Sequence, residues 1–139
     1  MHSRTILLAL GAALLGGCSS PENPPTARDA QGNFATTSDY DSMNRTQLIA
    51  AMDAGLVDVD KRRLELEQRA EQLGPDAIEE LHDREPKLSE LRTNFVNEMA
   101  RLKASLDPDW QERREDVVDA YEDLRKGLDK AYEEVLEEA

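Results

Sequence analysis

Residues 44–75 read NRTQLIAAMDAGLVDVDKRRLELEQRAEQLGP, and this stretch decides the fold. Asn44 followed by Gln47 three residues later is a capping-box arrangement, in which each side chain satisfies the other's backbone N–H. Ile49, Met52, Leu56, Val59, Arg63, Leu66, Ala70 and Leu73 then recur at alternating steps of three and four. That period places them on one face of a helix. Gly74-Pro75 ends it, because glycine suits the residue after a helix and proline cannot continue one. Gly55 lies inside the run and costs the helix about 1 kcal/mol relative to alanine.

The same grammar repeats downstream. Ile78, Leu81, Glu85, Leu88, Arg92, Phe95, Met99, Leu102 and Leu106 form a second stripe. Pro86 falls inside it, but the stepping passes through without a slip, which predicts a kink rather than a break. Asp107-Pro108-Asp109 offers an N-cap, a proline at the first helical position and an acid in the first turn. The third stripe is Trp110, Arg114, Val117, Tyr121, Leu124, Leu128, Ala131 and Val135, widened by Val118, Tyr132 and Leu136. Trp110, Tyr121 and Tyr132 recur every eleven residues, close to three turns, so they share one face. Helices over 44–73, 75–106 and 108–138, of equal length and joined by one or two residues, must run antiparallel to their neighbours. The expectation is an all-α, up-down-up three-helix bundle with coiled-coil-like packing. A hairpin that dimerises is the alternative.

The chain upstream has a different character. Arg4 precedes the uncharged run Ile6–Gly17, ILLALGAALLGG. That run is too short for a bilayer core, which needs about 20 residues. It fits a secretory signal peptide over residues 1–17. Leu15-Gly16-Gly17-Cys18, an aliphatic residue, two small residues and a cysteine, resembles the lipobox of bacterial lipoproteins. The resemblance covers the first eighteen residues. It implies that Cys18 is diacylated on its sulfur, becomes the first residue of the mature chain and attaches the protein to membrane lipid. Ser19, in place of an aspartate, then favours the outer membrane facing the periplasm in a Gram-negative cell. Residues 18–43 are rich in Pro, Ser, Thr and Asn without any period, and read as the lipidated cysteine followed by a flexible linker. Its extended reach from Ser19 to Tyr40 is about 70 Å. Phe34 and Tyr40 are read as incidental to it. The bundle then occupies residues 44–139.

Composition narrows function by exclusion. Seventeen basic against thirty acidic residues give a net charge of −13, which argues against nucleic acid as a partner. A single cysteine excludes an internal disulfide and a multi-cysteine metal site. Glu79-Glu80-Leu81-His82 contains the Glu-x-x-His spacing of di-iron four-helix proteins, but those sites need two such motifs and more inward glutamates. No cofactor or metal is expected, and no catalytic residues are assigned.

The charged members of the stripes invite pairing, since burying one charge alone is costly. Antiparallel register about the two turns matches Arg63 with Glu85 and Arg92 with Glu122. The functional expectation is a membrane-anchored helical binding or structural lipoprotein without catalytic activity. It would be a monomer, with a dimer as the alternative, and its partner another protein of the cell envelope. The competing expectation is a chaperone-like protein whose amphipathic helices cover lipid or unfolded, apolar cargo.

Overall fold

A computed structural model describes residues 40–137. Signal peptide, lipobox and most of the linker lie outside the described residues. Three long helices follow one another: α1 over Arg45–Leu73, α2 over Pro75–Ala104 and α3 over Trp110–Glu137, with a 3-10 turn over Asp107–Asp109 before α3. All three pack on one another, most extensively α2 with α3. The described residues form the all-α three-helix bundle.

The helix ends follow local chemistry. Asn44 Oδ1 accepts from the Gln47 N–H and Gln47 Oε1 accepts from the Asn44 N–H, both at 3.0 Å, so the capping box is complete. Gly74 has φ +117°, a left-handed conformation costly for any residue with a Cβ. Pro75 starts α2 at a position whose N–H no helix would use. α2 continues unbroken through Pro86.

The second connection differs from expectation. α2 ends at Ala104, because the Ser105 N–H and hydroxyl both turn back to the Leu102 carbonyl, at 3.2 and 2.8 Å. Leu106, expected as the last stripe residue, is 72% exposed and caps the 3-10 turn. Asp107 is therefore no side-chain N-cap. It sits in that turn with its carboxylate 3.6 Å from Arg45.

The core contains Leu48, Met52, Leu66, Phe95, Leu102, Tyr121, Leu124 and Leu128, all essentially inaccessible. Its face on α1 is rotated from the expected stripe. Leu48, Ala51 and Gly55 are buried, while Ile49 and Leu56 pack at the margin. In a three-helix bundle each helix meets two others, and α1 meets α3 with small residues. The reason lies on α3: a Cβ on Gly55 would stand 2.8 Å from the Tyr121 ring. Small side chains admit a large ring, a pattern that hydropathy periodicity underweights. Likewise Ala77 is buried on α2 and Ile78 is 47% exposed.

The folded region also begins earlier than the linker assignment of 18–43 allows. Tyr40 is buried, and its ring and that of Tyr121 form a T-shaped pair, 6.2 Å between centroids and 87° between planes. Phe95 also packs on Tyr121, at 5.5 Å between centroids and 48° between planes. An isolated tyrosine in an aperiodic stretch thus completes an aromatic cluster, where such pairs add to the area they bury.

Candidate functional site

The charged residues divide among three seams. Along α1 and α2, Arg63 pairs with Glu85, Arg92 grips Asp60 through Nε and Nη2 at 2.7 Å each, and Lys103 reaches Asp53 at 2.9 Å. Asp60, Arg63, Leu64, Glu67 and Arg92 line an open groove on this seam. The forked hydrogen bond from Arg92 holds the Asp60 carboxyl below its ordinary value of 3.8, and the same bond raises the Arg92 guanidinium above its own.

Arg63 and Glu85 meet as the register about Gly74 predicts. Arg92 and Glu122 do not: Arg92 pairs with Asp60, and Glu122 accepts from Lys126 at 3.3 Å. Glu85 and Arg92 are seven residues apart, close to two helical turns, so both must face the same neighbour. That neighbour is α1, and Arg92 has no reason to cross to α3.

On the α1–α3 seam, rings replace carboxylates as the main contact. The guanidinium of Arg45 lies over the Trp110 ring at 5.9 Å, Tyr121 seats on Gly55, and Arg62 lies over the Tyr132 ring at 5.0 Å. The Tyr132 hydroxyl donates to the Arg62 carbonyl at 2.7 Å, and Arg62 Nη2 reaches Asp129 at 2.9 Å. The eleven-residue spacing of the three aromatics is the spacing of this seam. On the α2–α3 seam Arg84 bridges to Glu134 at 2.8 Å and to Glu80 of its own helix.

Arg45 also closes one end of the bundle. Its Nη2 donates to the Leu102 carbonyl at 3.1 Å and to the carbonyl of Ser105, groups that the end of α2 leaves without helical partners. Arg114, expected in the apolar stripe of the third helix, is buried and faces the chain before α1. Its Nη2 donates to the Tyr40 carbonyl at 2.8 Å and to Asp41 Oδ1 at 3.0 Å. Asp41, Arg114, Glu115, Val118 and Asp119 line a depression there. Sequence reasoning missed this contact, because its two sides lie far apart in the chain and Tyr40 belongs to no repeat. It also missed Glu98, which is buried with Oε1 accepting from Arg101 Nη1 at 2.6 Å.

His82 and Glu79 are both exposed on α2. Among the described residues no three His, Cys, Asp or Glu side chains gather in a way that could hold a metal ion, and no helix is long and apolar enough to cross a membrane. Cys18 lies outside the described residues. No family model matches the chain, and no curated protein or solved structure is significantly similar to it.

Proposed function

We propose that this chain is a lipid-anchored helical module of the cell envelope, a binding or structural lipoprotein that acts by holding a partner rather than by chemistry. The carrying observation is Leu15-Gly16-Gly17-Cys18 at the end of an uncharged run, with the only cysteine of the chain at the acylation position. Two or three acyl chains anchor stably where one does not. The bundle supports the reading by what it offers: long acidic helix faces, open grooves and closely paired charges. Tethering raises the effective concentration of such a module near a membrane partner without adding contacts. The partner would be another envelope protein, reached from an outer-membrane anchor in a Gram-negative cell.

Cys18→Ala tests this directly. The wild-type chain should stay with membranes in high salt, require detergent for release and incorporate a labelled fatty acid. The variant should do none of these. A wild-type chain released by salt alone overturns the anchor. Failure of the variant to lose membrane attachment would do the same.

One observation favours a second reading. Val57, Leu64, Ile78 and Leu106 are apolar and 70, 53, 47 and 72% exposed. A chaperone-like role would use such residues to receive apolar cargo. An anchor-free secreted form separates the readings in cells: full rescue of function supports the cargo role, and loss of function supports the tethered module.

A further inference from the structure

We infer that the outer face of α1 is a docking surface for a second copy of this chain, paired about a two-fold axis at the Asp60–Arg92 ion pair. Ala50, Ala54, Val57, Lys61, Leu64 and Gln68 recur at steps of four and three along α1, a second stripe on one helix face. Val57 and the buried Leu66 are nine residues apart, two and a half turns, so this stripe points away from the core. Val57 and Leu64 are both more than half exposed. Val96 of α2, also exposed, falls between Arg92 and Lys103 on the side that reaches α1. Among the described residues the other exposed large apolar side chains are Leu73, Ile78, Leu106 and Leu136. Those sit near helix ends, where a core opens to solvent. Val57, Leu64 and Val96 lie instead along the flank of the bundle, on its α1–α2 side.

Shape and charge both point to a like copy. Leu64 borders the open groove lined by Asp60, Arg63, Glu67 and Arg92. With the axis between residues 60 and 61 and the two α1 helices antiparallel, Val57 of each copy faces Leu64 of the other, since the two stand equally far from the axis. Val57 then enters that groove as a knob enters a hole, and the contact is made twice. The same pairing sets each Asp60–Arg92 rung beside its copy, so that Arg92 of one chain also faces Asp60 of the other. Both side chains are partly exposed, which leaves them within reach, and their alternating signs are complementary to themselves. Lys61, the one charge in the stripe, is well exposed and carries its ammonium to the rim on a long stem. The chain as a whole repels its copy, at a net charge of −13. α3 holds ten acids against five bases but α1 only six against five, so α1 is the helix along which two copies approach at less cost. A contact of this size lies at the small end of specific interfaces, below about 1,200 Å². The association is therefore weak in solution and strengthened wherever copies share a surface.

This inference needs no membrane anchor, so its test is independent of the proposed function. The full-length chain with Cys18→Ser has no thiol, and Lys61→Cys then adds one beside the axis. Diamide, which oxidises two thiols to a disulfide, should join two such chains. The reference is the chain with Cys18→Ser and Lys126→Cys, whose thiol is exposed on α3. Linking at residue 61 should be roughly tenfold faster or more, because pairing raises the effective concentration of one thiol near the other. Val57→Asp with Leu64→Asp should bring it down to the reference rate. Helicity by circular dichroism and the thermal midpoint should not change, since neither side chain belongs to the core. Should the aspartates cost helix, Val57→Ser with Leu64→Ser makes the same comparison. A Lys61→Cys chain that links no faster than the reference overturns the inference. So does fast linking that survives loss of both apolar side chains in a folded chain. A Lys61→Cys thiol that joins a different protein in a cell extract, with no product of two like chains, gives the face to that protein and overturns the inference too.

Discussion

The two seams that α1 makes with its neighbours are built differently. Against α2 it presents Asp53, Asp60 and Arg63, and the contact is closed by half-exposed ion pairs. Against α3 it presents Gly55, and the contact is closed by rings, with Tyr121 essentially inaccessible. Charge pairs in water add little, typically below about 1 kcal/mol each. A buried ring removes a large apolar area and cannot be replaced by solvent. The ring seam should therefore hold the bundle together, and the charged seam should set which residues of α1 and α2 stand opposite one another.

The largest effect should come from Tyr121→Ala. It removes the ring that touches Tyr40, Phe95 and Gly55, at a cost of about 3–5 kcal/mol, read as a lower urea midpoint. A loss below about 1 kcal/mol would mean that the seams are equivalent.

Gly55→Ala sharpens the same comparison. In an isolated helix this change stabilises by roughly 1 kcal/mol. Here the added Cβ would stand 2.8 Å from the ring atoms of Tyr121, and overpacking of this kind costs about 1–3 kcal/mol. Net destabilisation is expected, and it should shrink when Tyr121 is first changed to leucine, the non-additivity of residues in contact.

Gly74→Ala should cost about 1–2 kcal/mol. No atom crowds the position, but φ +117° is strained for a residue with a Cβ. A neutral result would show that the turn relaxes without disturbing the α1–α2 register.

The smallest effect belongs to the charged seam. Arg92→Ala should lower stability by less than about 1 kcal/mol, and less still in high salt. The pH dependence has a definite sign. The Arg92 fork depresses the Asp60 carboxyl, so its contribution is complete above its ordinary value near 3.8 and is lost as pH falls through the depressed one. Urea midpoints compared between neutral pH and the region below about pH 4 should show that loss, and Asp60→Asn should remove this part of it. An Asp60→Asn chain with the unaltered acid profile would assign the profile to other carboxylates.

The contrast between seams also explains what was legible in the sequence. Periodic Leu, Val and Met, together with Gly74-Pro75 and Asp107-Pro108, are local signals, and they yield three helices and their order. The register about a tight turn is nearly local, so Arg63 could be matched to Glu85. Register alone matches Arg92 to Glu122, but a residue seven positions from Glu85 faces the same helix as Glu85 does. The α3 aromatics were visible as a repeat, but their seat on Gly55 was not. A glycine inside a helix reads as a weakness until the ring that needs its vacancy is placed. Tyr40 was the least legible of all. Its burial depends on Arg114 and Tyr121, more than seventy residues away in the chain, and no periodicity announces a single side chain. The exposed residues gave no comparable guide to function, because acidic helix faces serve solubility and recognition with the same side chains.

The three long helices of the described residues have a mechanical consequence. Three traverses bring the chain in beside Arg45 and release it after Glu137 at the opposite end, about 42 Å away along a helix of 28 residues. A chain of two or four such helices would return to where it began. Any domain fused after α3 would be displaced by the full length of the bundle from whatever holds the other end, and the offset would be set by helix length rather than by the slack of a linker.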